Sequence, residues 1–106
     1  MPKYLLQATY TASGLKALLE HGGSRREDAA RAALESAGGR VEAFYFAFGD
    51  TDAFAIVDLP DNVSATAVAL TTAASGAIRI KTTALLSPEE VDQAAKNRVA
   101  YHPPGS

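Results

Sequence analysis

Residues 41–59 read Val41-Glu42-Ala43-Phe44-Tyr45-Phe46-Ala47-Phe48-Gly49-Asp50-Thr51-Asp52-Ala53-Phe54-Ala55-Ile56-Val57-Asp58-Leu59: two apolar runs parted by a tetrad of turn residues. Aromatic and β-branched residues suit a pleated surface, and Gly and Asp suit a tight reversal, so the stretch predicts a β-hairpin. A short symmetric loop centred on Asp50-Thr51 pairs Phe48 with Ala53, Phe46 with Ala55 and Phe44 with Val57, all on one face. Ala43, Tyr45, Ala47, Phe54, Ile56 and Asp58 then share the other face. The Phe-rich face is assigned to the helices, whose inward residues are mostly Ala and leave room for rings.

Working outward, Lys3 to Tyr10 is rich in strand formers and is interrupted by Thr11-Ala12-Ser13-Gly14; Leu15 to Leu19 reads as a short helical turn. Ser24-Arg25-Arg26-Glu27, after His21-Gly22-Gly23, has capping-box spacing and predicts a helix start at Ser24. Ala30, Ala33, Leu34 and Ala37 follow at helical spacing up to Gly38-Gly39. Beyond the hairpin, Pro60 closes the strand, and Asp61 or Asn62 caps a helix carrying Val63, Ala67, Leu70 and Ala74 on one face before Gly76. Ile78 to Leu85 is a fourth strand. Ser87-Pro88-Glu89-Glu90 opens a third helix running to about Asn97, and the tail Tyr101-His102-Pro103-Pro104-Gly105-Ser106 is non-helical.

The order strand, helix, strand, strand, helix, strand is the α+β plan called ferredoxin-like. Right-handed crossovers place the two main helices on one face of a four-stranded antiparallel sheet in spatial order 4-1-3-2, with an extra C-terminal helix. Residues 1–106 read as a single domain. By alternation Leu6, Ala8, Ile78 and Ile80 join the core, whereas Gln7, Thr9, Arg79, Lys81 and Thr83 face the other way. The helix-free face mixes Leu5, Phe54 and Ile56 with polar groups and measures roughly 400 Å² from strand spacing and rise. An apolar area of that size calls for a cover, and a second copy is favoured over the C-terminal helix. The expected partner is thus the chain itself, as a homodimer or higher oligomer. Tyr101 is expected to pack against this subunit or its neighbour.

Composition narrows the function classes. The 106 residues are 47% apolar and 21% charged with a net charge of −2, which offers no basic field to nucleic acid or an anionic membrane. The absence of Cys removes disulfides and thiolate chemistry, and no apolar run suits a signal peptide or a membrane span, so a cytoplasmic location is expected.

Pro2-Lys3-Tyr4, Gly38-Gly39-Arg40-Val41-Glu42, Phe44-Tyr45-Phe46-Ala47-Phe48-Gly49-Asp50, Ile56-Val57-Asp58-Leu59-Pro60-Asp61, Arg79-Ile80-Lys81-Thr82-Thr83 and Leu86-Ser87-Pro88-Glu89-Glu90 together resemble the GYD-domain family over nearly the whole chain. That family is similar in architecture to the dimeric α/β-barrel superfamily, in which two ferredoxin-like sheets pack face to face. The resemblance implies the fold and a dimeric assembly but no established activity, since the wider superfamily spans cofactor-free oxygenases and isomerases, haem enzymes and effector-binding domains. Thr51 stands where the Tyr of the family's namesake motif is expected.

Candidate chemistry is sparse. His21 and His102 are the only imidazoles and have no partner at ligand spacing, so no metal and no cofactor is expected. No Gly-x-Ser-x-Gly elbow and no phosphate-binding glycine pattern occurs, and Arg25, Arg26 and Arg31 read as a solvated helix face with Glu27 and Glu35. Arg79 and Lys81 share a face with Gln7, Tyr45 and Asp58; they hold either an anion or acidic partners in ion pairs. With Tyr10, these residues form the candidate ligand site. Three functions remain open: an oligomeric protein binding a small, partly aromatic or anionic metabolite; a cofactor-independent oxygenase or isomerase using Tyr45 or Tyr10 with Arg79 or Lys81; and an assembly module without ligand.

Overall fold

Lys3–Tyr10 forms strand β1, and its residues alternate between half-buried and buried from end to end, with Tyr4, Leu6, Ala8 and Tyr10 on the buried side. The computed structural model describes residues 1–105. After β1 come helices α1 (Ala12–His21) and α2 (Gly23–Ser36), the hairpin strands β2 (Arg40–Phe46) and β3 (Ala53–Asp58), helix α3 (Asn62–Ala74), strand β4 (Ile78–Leu85) and helix α4 (Pro88–Lys96). The strands pair antiparallel in the order β2-β3-β1-β4, which is the 4-1-3-2 order expected from sequence. The architecture is α+β and ferredoxin-like.

The core lies where alternation placed it. Val57 and Leu59 are fully buried, in a cluster with Tyr4, Leu6, Leu34, Ala55 and Ala65; a second cluster joins Ala8, Tyr10, Ala53 and Ile78. Phe44 and Ile80 pack against both. Tyr4 is buried because its hydroxyl has a partner, donating to Asn62 Oδ1 at 2.6 Å at the start of α3. Asp61 is the N-cap of that helix, accepting from the Ser64 amide at 2.8 Å.

Three local expectations are corrected. The hairpin register is slipped by two residues: Phe46 faces Ala53 and Phe44 faces Ala55, with a bulge between Val41 and Ala43. Because Ala47 N–H bonds the Asp52 carbonyl at 2.8 Å, the turn is centred one residue earlier than expected, over Gly49-Asp50, and Phe48 is expelled to full exposure. A two-residue slip preserves every face, so only the position along the strand changed. Phe46 is left 40% exposed, its ring edge-on to Phe44 at 5.2 Å.

The second correction concerns α1, a full ten-residue helix instead of a single turn. Thr11 caps it, and Gly14, a residue normally unfavourable mid-helix, is accepted because any side chain there would strike the Ala77 carbonyl. Third, the Ser24-Glu27 capping box does not form. The α2 helix begins one residue earlier, with Gly22 as its N-cap, and the Glu27 carboxylate instead accepts from Arg31 Nε and Nη2 at 3.0 and 2.8 Å. The box at Ser87 and Glu90 is present, with both reciprocal hydrogen bonds.

Every residue from Pro88 to Gly105 is exposed, so α4 and the tail form an arm that covers neither sheet face. Tyr101 is 70% exposed, which corrects the expectation that it packs within its own subunit. The radius of gyration, 16.9 Å, exceeds the roughly 13 Å of a globular chain of this length, in keeping with such an arm. The tail is non-helical through Gly105; Ser106, its last residue, lies outside the described residues. No helix among the described residues is long and apolar enough to cross a membrane.

Candidate functional site

Strand register arranges the helix-free face in rows. Tyr45, Phe54, Gln7 and Lys81 form one row across β2, β3, β1 and β4; Ala43, Ile56, Leu5 and Thr83 form the next; Arg40, Asp58, Lys3 and Leu85 form the third. The third row is an electrostatic lock. Asp58 is only 5% exposed, and it accepts from Lys3 Nζ at 2.9 Å and from Arg40 Nε at 3.0 Å, with Glu42 Oε1 a further 3.4 Å from Lys3. Lys3, and then Arg40, hold the Asp58 carboxyl below its ordinary value against the opposing effect of burial. The same hydrogen bond from Lys3 to Asp58 raises the Lys3 ammonium, opposed by its own desolvation.

Asp58 is therefore engaged within the chain and lies two rows from Lys81. Gln7, Arg79 and Lys81 do come together, with Thr9 and Thr51, around a shallow depression of about 270 Å³ at the β4 edge. Tyr45 stands on β2 at the opposite edge and is 72% exposed. Three strand spacings separate it from Lys81, or about 14 Å.

Tyr10 belongs to the other face. With Ile78 it borders a larger cavity of about 500 Å³ between α1, α2 and the end of α3. Gly14, Ala17, Leu18 and His21 line it from α1, and Arg25, Arg26 and Ala29 from α2. Small residues at Gly14, Ala17 and Ala29 leave the volume unfilled. The Arg26 guanidinium sits 5.9 Å over the Tyr10 ring, in reach of a cation–π attraction.

The family model for the GYD domain matches residues 4–95. The chain belongs to the GYD-domain family. No curated protein and no solved structure matches it.

In this GYD domain the tetrad Gly49-Asp50-Thr51-Asp52 has a visible structural role. The Asp52 amide donates to the Ala8 carbonyl at 2.9 Å and its carboxylate accepts from the Tyr10 amide at 2.9 Å, so the turn prolongs the β1–β3 ladder. Thr51 borders the Gln7–Lys81 depression.

Sequence reasoning missed Arg26 and His21 as cavity residues. Arg31 behaves as expected toward Glu27 and also donates from Nη1 to the Val41 carbonyl at 3.2 Å, but Arg26 turns inward instead of joining a solvated face. A signal was present: the stripe Ala30, Ala33, Leu34 and Ala37, continued back by one turn, lands on Arg26. Among the described residues no cluster of three His, Asp or Glu is arranged to hold a metal ion.

Proposed function

We propose that this GYD domain, one domain over residues 1–106, is a cytoplasmic homo-oligomer that binds a small metabolite in the cavity between its helices and its sheet. The observation that carries the reading is the cavity itself: at about 500 Å³ it lies in the size range of small-molecule sites, with apolar walls and a few convergent polar groups. The assembly module without ligand leaves that volume unexplained. The oxygenase or isomerase reading pairs Tyr45 or Tyr10 with Arg79 or Lys81, but Tyr45 stands about 14 Å from Lys81 and Tyr10 lies on the other face of the sheet from both cations. The net charge of −2 argues against nucleic acid as the partner.

The helix-free face supports the assembly half of the proposal. Leu5, Phe54 and Ile56 form a half-buried apolar centre flanked by charged and polar residues, and no element among the described residues lies over them. A second sheet, in the manner of the dimeric α/β barrels, would cover that centre. The exposed arm, with Val91 and Tyr101, would supply further contact with the neighbour.

Amide chemical shifts recorded during titration with a library of small aromatic and aliphatic compounds test the cavity. Changes are expected to cluster at Leu18, Arg26 and Ile78, and to disappear in Ala29→Phe, which plugs the volume from an exposed helix position. Changes confined to Gln7 and Lys81, or none at all, would reject the cavity as the site. Sedimentation of Ile56→Lys tests the assembly: the wild-type chain is expected to associate at micromolar concentration and the variant to be monomeric, and a monomeric wild-type chain would refute it.

A further inference from the structure

We infer that the ligand of this cavity is an organic anion, a carboxylate whose charge is met by Arg26 while its apolar body rests on Leu18 and Ile78. The inference rests on the cavity reading above and names its ligand class. Charge is the first support. The ionisable side chains in the wall, apart from the Tyr10 phenol, are Arg25, Arg26 and His21, and no Asp or Glu is among the lining residues. Of the acids next to Arg26 in sequence, Glu27 is committed to Arg31 and Asp28 is exposed and does not line the cavity; Asp52, which reaches β1 from the hairpin turn, accepts from the Tyr10 amide. Glu20 lies 4.0 Å from His21, with a side chain that is 75% exposed.

The second support is an unmet donor. Arg26 Nε is buried and has no hydrogen-bond partner, in contrast to Arg31, whose Nε, Nη1 and Nη2 are all engaged. Nε itself is closed to water-sized groups, so a ligand's acceptor would meet the outer nitrogens of the same guanidinium, which are accessible and have no partner among the described residues. The opposite wall does not provide that acceptor. Thr72 Oγ donates to the Val68 carbonyl at 2.6 Å, and Ser75 Oγ donates to the Thr72 carbonyl at 2.6 Å while accepting from the Ala77 amide. Polar groups that await a ligand are therefore concentrated on the cationic side.

Shape supplies the remaining step. Arg26 also borders a void of about 60 Å³ in the core beside Leu34 and Phe44, so its side chain forms part of the wall between that void and the larger cavity. A ligand satisfying it must lead with its charge and trail its apolar part along Leu18, Ala29 and Ile78. The half-buried guanidinium of Arg26 and the mostly apolar wall match one negative charge on an organic body better than a free inorganic oxyanion.

Isothermal titration with benzoate and hexanoate, with benzamide and hexanamide as neutral matches and inorganic phosphate as the bare anion, tests the inference. The acids are expected to bind at least tenfold more tightly than the amides. Arg26→Met should abolish that preference, and Arg26→Lys, which keeps charge but not the planar fork, should retain part of it; circular dichroism confirms that both fold. Equal binding of acids and amides would overturn the anion while leaving the cavity reading intact. Phosphate binding as tightly as the acids would overturn the organic body. If neither acids nor amides bind, and no library compound shifts the cavity amides, the cavity reading falls and the anion with it. An acid preference undiminished in Arg26→Met would remove Arg26 from the role.

Discussion

On the helix-covered side of the sheet Tyr4 is 3% exposed and Val57 has no exposure at all, while on the reverse of the same two strands Leu5 and Ile56 remain half-buried. Nearby Tyr45 is 72% exposed. The two sides are built from alternate residues of one backbone, so neither local propensity nor strand pairing separates them. What separates them is cover. Burial of aliphatic and aromatic groups under α2 and α3 supplies most of the driving force for folding on one side. The other side is free to carry charge, and its one well-buried carboxylate, Asp58, is tolerated only because Lys3 and Arg40 meet it. The cavity belongs to the covered side, yet it arises where cover is incomplete, because α1 meets α3 and Tyr10 through small residues.

The contrast is broken most severely at Leu59. Truncation to Ala removes a fully buried side chain from the larger cluster and is expected to cost about 3 kcal/mol by urea denaturation. A loss under about 1 kcal/mol would mean that the covered side is loosely packed. Next come the two Phe residues, which the slipped register has separated. Phe44→Ala, which empties the junction of the two clusters, is expected to cost about 3 kcal/mol. Phe46→Ala should cost about 1 kcal/mol, because that ring is 40% exposed and keeps mainly its edge contact with Phe44. Equal losses would restore the turn centred on Asp50-Thr51 and place Phe46 deeper.

A smaller effect sharpens the comparison from the uncovered side. The Asp58 carboxyl is held below its ordinary value by Lys3 and Arg40, so its ionised form stabilises the fold above the unfolded value of about 3.9. That contribution drains away as the pH falls through the lowered folded value. Asp58→Asn should therefore be less stable than wild type near neutrality, with the gap between them closing below about pH 4. Asp61, lowered by the Ser64 amide it caps, titrates in the same direction and remains in both proteins, so the difference between them isolates Asp58. A gap unchanged between neutral and acid pH would show that the lock contributes no charge-dependent stability.

How much of this was legible beforehand follows from the range of the interactions. The four strands, their order and the identity of both faces came from period-two patterning, which a backbone obeys locally. Hairpin register did not, because the Gly49–Asp52 tetrad permits turns centred at different positions, and the choice was decided by Asp52 bonding to β1, a strand more than forty residues away in sequence. The α2 start was misplaced for a related reason: Gly22, with its positive φ of 84°, caps the helix first and leaves Ser24 inside it. At the candidate site, Gln7, Arg79 and Lys81 are grouped by alternation and do adjoin; Tyr10 falls on the covered face with Leu6 and Ala8, as the same alternation requires, and Asp58 is held two rows from Lys81 by Lys3 and Arg40. Arg26 was obscured because an Arg on a charged helix is read as solvated, although its place on the Ala30–Ala37 stripe pointed inward.

The smallest effect is expected at Lys81, and its smallness is informative. Its exposed side chain has no hydrogen bond or ion pair among the described residues, so Lys81→Ala removes only solvated atoms and should change stability by less than about 0.5 kcal/mol in the monomer. Leu59→Ala, in the core cluster beneath the same sheet, removes less than a Lys side chain does and should cost several times more. The difference then measures cover, with side-chain size excluded as its cause. If a second copy lies over the helix-free face, the Lys81→Ala loss should depend on protein concentration, near zero where the chain is monomeric and larger where it associates. Urea denaturation at two concentrations a hundredfold apart reads this directly. A loss as large as that of Leu59→Ala at the lower concentration would mean that the covered and uncovered faces have been assigned the wrong way round.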